Sequence, residues 1–450
     1  MSAHGRSGMQ TLRASRPQLD VGSWAVIIAL LAGLTVAVFG PISLVGALGI
    51  VVAGLGVFRW PGLVFAAYLL LPFYKGFIDP HVPGDLTVIL ALLNGIQIVW
   101  VVRGGWRHAR REPLILGLAL TMVIVAGGAY APDQTQSLPF VAQWLALIVG
   151  PASAALRIVS DARHIRHLII AIAAFGVLVT LLAVPRLGGA ERVVVLEMNT
   201  IQVAIVAMFV PMAAFAYARG GARGLALVIL TPLSVLVAVA SGSRGPLLAS
   251  ATVGLVAASV YLAKSRAIGR RAATLIGLGG VGVAVAFAVA GSLPQASIAR
   301  YLALVDFISG PAGTADGGSL GARADLIGAS LRLFTERPLF GNGTGAFAYH
   351  AGGTVGMTDL PYPHNILLHA AADLGLVGLV LVVILVGNAL LRKLPPGRRW
   401  LATRFVFAFL FVESLVSGDL YSDRMLWGLL FLLVLAPPPR VAEAGSRRIS

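Results

Sequence analysis

The 450 residues of this chain are 58% hydrophobic and 12% charged, carry a formal net charge of +16 and include no cysteine. A soluble domain carries roughly 25% charged residues, so a mean hydropathy of +0.89 excludes an ordinary soluble protein. The lack of cysteine excludes disulfides and thiolate chemistry. The basic residues lie in short segments between apolar runs, a pattern of membrane topology and not of nucleic-acid binding.

A hydrocarbon core about 30 Å thick takes about 20 apolar residues per helix. Such segments are expected at 23–40, 42–57, 61–76, 86–102, 114–130, 138–156, 165–184, 200–217, 223–240, 245–262, 272–291, 365–390, 400–416 and 424–437. The basic stretch Met1–Asp20 ahead of the apolar run has the charge order of a secretion signal. No small-residue cleavage site closes that run, so it is read as a retained first helix. The second and third spans are short, and a re-entrant hairpin there would remove two. The fold class expected is all-α, a polytopic integral membrane protein of about 12–14 helices. It divides into an N-terminal helical block (1–292), a large polar loop (293–363) and a C-terminal helical block with a tail (364–450).

With both termini in the cytoplasm, one threading sorts both signs of charge. Arg103, Arg157, Arg219, Arg271 and Arg392 fall inside with their basic neighbours, and of the acids only Asp20, Glu112, Asp161 and Glu443 do. The 293–363 loop, Arg192, Arg244 and His364 then face outward. No ATP or nucleotide-sugar is available there, so an enzyme on that face needs a donor that arrives activated.

In chain order, the first candidate is Arg192, in an external loop with Glu191 and Glu197; it is either functional or part of a local ion pair of little worth. Asn199 and Gln202 open the next span and either line a polar cavity or cap the helix. Arg244, in Ser241-Gly242-Ser243-Arg244-Gly245-Pro246, is held at the lipid boundary by a tight turn. Its planar fork suits bidentate phosphate oxygens, and its position runs against the positive-inside bias, which favours function over snorkelling. Arg323 lies on an expected amphipathic helix over 322–334, where Arg332 and Glu336 have the i, i+4 spacing of a solvated pair. Gly341-Asn342-Gly343-Thr344-Gly345 follows no strand and is not read as a dinucleotide loop. Pro361-Tyr362-Pro363 stiffens the approach to His364, a general base or phosphate donor, and Asn365 can cap the helix that begins there. Asp373, Glu413 and Asp419 lie in or near outer halves of spans, where a carboxylate needs a cavity or a partner. They either position an acceptor hydroxyl or pair with the arginines. The external histidines His81, His350 and His364 show no zinc-ligand spacing, so no metal is expected.

These residues also carry a family likeness. From about 185 to 435 the chain resembles the O-antigen ligase and O-antigen polymerase superfamily of bacterial envelope enzymes. The motifs are Ser243-Arg244-Gly245 opening a helix, Arg323 through Pro338-Leu339-Phe340-Gly341-Asn342-Gly343, and His364-Asn365 followed by Asp373-Leu374-Gly375-Leu376-Val377-Gly378, with Asp373 where Glu is more usual. Arg192 to Asn199 is similar to an Arg followed by Asn-Pro-Asn, but reads Met198-Asn199-Thr200 here.

The resemblance implies a GT-C-like glycosyltransferase of the bacterial cytoplasmic (inner) membrane with its active site outside. Its donor would be an undecaprenyl-diphosphate-linked glycan and its acceptor a glycan or glycolipid, with membrane lipids as surroundings and no cofactor. Arg244, His364 and Arg192 would be catalytic; Arg323, Asn199, Tyr362, Asn365 and Asp373 would bind substrate. GT-C enzymes with a metal or acidic base carry an acid in the first external loop, and the turn here is Phe39-Gly40-Pro41. The alternative is a lipid-linked glycan flippase or exporter, for which internal repeats and deep charges would be expected.

Overall fold

The computed structural model describes residues 59–79, 85–103, 110–189, 191–217, 222–263, 294–299, 302, 319–352 and 361–438. The expected spans 23–40, 42–57 and 272–291, the turn at Phe39-Gly40-Pro41, His81 and most of 300–318 and 353–360 lie outside the described residues.

Among the described residues all regular structure is helical. The helices are α1 (Pro61–Ile78), α2 (Leu86–Gly95), α3 (Ile98–Val102), α4 (Arg111–Ala129), α5 (Gln134–Trp144), α6 (Gly150–Ser160), α7 (Ala162–Ala183), α8 (Thr200–Tyr217), α9 (Ala222–Ala240), α10 (Arg244–Ala263), α11 (Ser319–Glu336), α12 (Ala346–His350), α13 (Ile366–Leu391), α14 (Arg398–Ser417) and α15 (Arg424–Leu435). Among the described residues six segments are long and apolar enough to cross a membrane: α1, α4, Gln134–Ser160, Ala162–Arg186, α13 and α14. Leu86–Val101, Thr200–Ala214, Gly224–Ala240 and Arg424–Leu435 are shorter apolar helices. Each expected span among the described residues is helical, and the chain is a polytopic membrane protein.

The helix starts follow local chemistry. Asp85, Asp133, Asp161, Asn365 and Asp423 each accept a backbone N–H from the first turn of the helix they precede. Between α5 and α6 the chain widens into a π turn, Leu145–Val149, where Tyr68 of α1 donates its hydroxyl to the Leu147 carbonyl at 2.6 Å.

Helix α8 packs on α7, α9 and α14, while α13 packs on α4 and α11. Edge-to-face rings pin these contacts: Phe209 of α8 meets Phe73 of α1 at 6.1 Å and Phe409 of α14 at 6.3 Å. Trp144 and Trp427, both fully buried, meet edge-on at 5.0 Å.

One helix is broken inside the bundle. Gly375 of α13 has φ +65° and ψ −161°, so the i to i−4 ladder stops there. Unsatisfied backbone is costly at membrane depth, and the segment 338–343 supplies the partners. Asn342 N and Gly343 N donate to the carbonyls of Ala372 and Asp373, and Leu376 N and Val377 N donate to those of Pro338 and Leu339. The two backbones touch through glycine: a Cβ on Gly341 would lie 2.3 Å from the Asp373 carbonyl oxygen, and one on Gly375 would lie 2.4 Å from Gly341 N. The Pro338–Gly343 and Asp373–Gly378 motifs, separate in sequence, are two sides of one joint.

Candidate active site

Three helix ends meet at one place. The turn Ser241–Ser243 is closed by Ser241, whose hydroxyl donates to the Ala238 carbonyl and accepts Ser243 N, and Gly242 takes φ +71°. That conformation favours glycine, and it delivers Arg244 as the first residue of α10. The Arg192 side chain lies along the same turn. A Cβ on Gly242 would sit 3.2 Å from Arg192 Cδ and from Ser297 Oγ, and Ser297 donates to the Ala240 carbonyl at 2.6 Å. Arg192 Nη1 reaches Thr200 Oγ1 at 3.3 Å, while Glu197 lies against Gly76 of α1, so the local pairing considered for Arg192 gives way to a place beside Arg244.

The end of α14 joins this turn to His364. Gly245 faces Val416, 4.0 Å from where its Cβ would be, and Asn365 Nδ2 donates to the Leu415 carbonyl at 2.9 Å. Asn365 also caps α13, accepting Leu367 N and Leu368 N at 3.0 and 3.1 Å. Neighbouring residues of one helix end therefore hold the starts of α10 and α13, and with them Arg244 and His364.

His364 is in the left-handed region, φ +56°, uncommon for a residue with a side chain. Its ring tilts against Tyr362 at 4.2 Å. Its Nδ1 is buried with no hydrogen-bond partner among the described residues. Burial pushes the imidazole down to about 4, with Arg323 adding to the shift and Asp419 opposing it, so His364 is neutral at pH 7. Burial likewise pushes the Tyr362 phenol up to about 12. Arg323 of α11 is thus an electrostatic neighbour of both.

Not every candidate offers its polar atoms to a ligand. Asn199 Oδ1 accepts Gln202 N and Gln202 Oε1 accepts Asn199 N, a reciprocal cap on α8. Asp373 is fully buried: Oδ1 accepts Phe347 N, and Oδ2 accepts Gly345 N and the Tyr421 hydroxyl, each at 2.8 Å. Its carboxylate fastens the glycine-rich turn and the 418–423 loop to α13.

His369 was not singled out from the sequence. It is almost fully buried, with Nε2 3.5 Å from Asp373 Oδ2 and Nδ1 3.1 Å from Asp419 Oδ1. Its legible signal is the i, i+4 spacing to Asp373, one turn below Asn365. Asp419 is held below the usual carboxylate range: burial works to raise it, but the hydrogen bond and charge of His369 prevail. Asp423 caps α15 and is pushed up to about 7 by burial. Among the described residues no group of three His, Asp or Glu side chains is placed to hold a metal ion.

Residues 226–383 match the family model described as O-antigen ligase. The match spans Arg244, Arg323, Tyr362, His364, Asn365 and Asp373, and stops short of Arg192 on one side and Glu413 on the other. No curated protein matches the chain. The match bears out, over residues 226–383, the likeness to the O-antigen ligase and polymerase superfamily.

Proposed function

Taking residues 226–383 as an O-antigen ligase domain, we propose that this protein transfers a glycan from undecaprenyl diphosphate to an acceptor glycan or glycolipid on the outer face of the bacterial cytoplasmic membrane. The observation that carries this reading is that neighbouring residues at one end of α14 seat the starts of α10 and α13, next to Arg244 and His364, with Arg192 along the Gly242 turn. Arg244 and Arg192 neutralise the charge that grows on the leaving diphosphate, where fixed donors act most strongly in a site shielded from water. Arg323 adds to that field from α11.

A neutral imidazole held well below its ordinary range keeps a proton poorly. That favours His364 as a hydrogen-bond donor to the diphosphate over a proton store. The acceptor hydroxyl oxygen attacks the anomeric carbon opposite the breaking C–O bond, and its proton passes to the departing diphosphate. The diphosphate departs with the bonding electron pair, and the configuration inverts. Asp373 and Asn199 serve by fixing backbone around the site, Asn365 by seating α13 on α14, and Tyr362 by packing on His364.

The test is transfer from purified undecaprenyl-diphosphate oligosaccharide in detergent with EDTA. Release of lipid diphosphate with sugar joined to acceptor supports the proposal, and a product ladder distinguishes polymerisation from a single ligation. No transfer, with movement of the same lipid across liposomes, overturns it in favour of a flippase.

A further inference from the structure

Acidic and basic groups both surround His364, and Arg323 of α11 acts on it and on Glu413. Arg192 and Arg244 lie on the α10 side, and Glu413, Asp419 and Asp423 lie around α14 and the loop that follows it. A sugar presents hydroxyl donors that a carboxyl oxygen accepts.

Two of the three acids are engaged. Asp419 is held by His369 at 3.1 Å, and Asp423 accepts Leu426 N at 3.2 Å. Glu413 differs. It is 4% exposed, and its Oε1 is buried with no hydrogen-bond partner among the described residues. A buried carboxyl oxygen left unmet is costly, and one inside a membrane helix calls for a functional account. It lies two residues before Leu415, whose carbonyl receives Asn365. Its electrostatic neighbours are Asp423 and Arg323, and it in turn acts on Tyr362. The unpartnered oxygen therefore belongs to the same site as His364.

We infer that Glu413 Oε1 accepts a hydrogen bond from a sugar hydroxyl of the glycan substrate, making the α14 wall the sugar subsite. The inference rests on the transferase reading above. The hydroxyl belongs either to the glycan on the lipid carrier or to the incoming acceptor, and two measurements separate these sources.

The first compares binding of bare undecaprenyl diphosphate with binding of the lipid-linked oligosaccharide extracted from the producing cells, for wild type, Glu413→Gln and Glu413→Ala. The second is transfer at saturating donor with the amount of acceptor varied. Loss of one hydrogen bond to a carboxylate corresponds to a change of about ten-fold or more. The expected result is unchanged affinity for the bare carrier in all three proteins. With it, Glu413→Ala should lose about ten-fold either in the preference for the sugar-bearing carrier (donor glycan) or in acceptor KM (acceptor glycan), with Glu413→Gln between. Unchanged sugar preference and acceptor KM would overturn the inference while leaving the transferase reading intact. Equal loss of bare-carrier affinity in Glu413→Ala would also overturn it, by showing a structural role. A wild type that binds neither lipid removes the transferase reading and this inference together.

Discussion

The start of α13 and its break at Gly375 lie within one helix and one family motif, yet they treat polar groups in opposite ways. At the break four backbone bonds cross to 338–343, and both Asp373 oxygens are met by Gly345, Phe347 and Tyr421. At the start, His364 holds a left-handed backbone and a buried Nδ1 without a partner among the described residues. Backbone of that kind costs of order 1–3 kcal/mol and persists where the surroundings over-determine it. Under the proposed function, the satisfied part holds the fold and the unpartnered imidazole of His364 meets the substrate.

The largest effect is expected at the joint. Gly375→Ala or Gly341→Ala puts a Cβ within 2.4 or 2.3 Å of backbone atoms, with no flexible side chain to yield. The expected cost exceeds about 4 kcal/mol, read as loss of monodisperse protein in detergent. Gly387→Ala, elsewhere on α13 with nothing within 4 Å of a new Cβ, is the control and should melt as wild type does. Normal melting of Gly375→Ala would break the comparison.

Next comes Asp373→Ala, which leaves Gly345 N, Phe347 N and the Tyr421 hydroxyl without their acceptor. A loss of about 3–5 kcal/mol is expected, because His369 and its neighbours are stranded in a buried site. Denaturant melting checks it. A variant that keeps its stability but loses donor binding would return Asp373 to the ligand side.

His364→Gly sharpens the contrast. Glycine adopts φ +56° without strain, which offsets its larger entropy loss on folding, so stability should stay within about 1 kcal/mol of wild type while transfer falls. Loss of both together would make His364 a structural residue.

The smallest effect is on pH. Between pH 6.5 and about 4, an unfolded chain protonates His364 while the folded one does not, so this group lowers stability as pH falls through that window. Asp423, raised to about 7, works the other way: its contribution is present at low pH and is lost as pH rises through 7. In Asp423→Asn the opposing contribution should be lost, and any acid limb of transfer due to His364 should fall nearer 4 than 6.5.

Much of this architecture was legible in the sequence because lipid imposes a simple rule. About 20 apolar residues make a helix, and each expected span among the described residues is helical. As candidates, Arg244 and His364 stand out in the sequence because charge and histidine are rare at such boundaries. The division of labour between candidates was not legible there. Asn199 and Asp373 have the same residue types as ligand groups, and only the geometry shows them engaged with backbone. His369 was hidden because a histidine one turn inside a helix has no sequence mark beyond its spacing to Asp373. The joint at Gly375 was hidden because its partners are distant in sequence. Glu413 stood among three undistinguished carboxylates until two of them were found engaged.

The most direct measurement is release of lipid diphosphate from undecaprenyl-diphosphate oligosaccharide by Arg244→Ala, with thermal melting of the same preparation. The account predicts wild-type melting and a fall in release of at least about 10²–10³-fold, the scale of losing one transition-state donor. Near-normal release by a well-folded Arg244→Ala would contradict it.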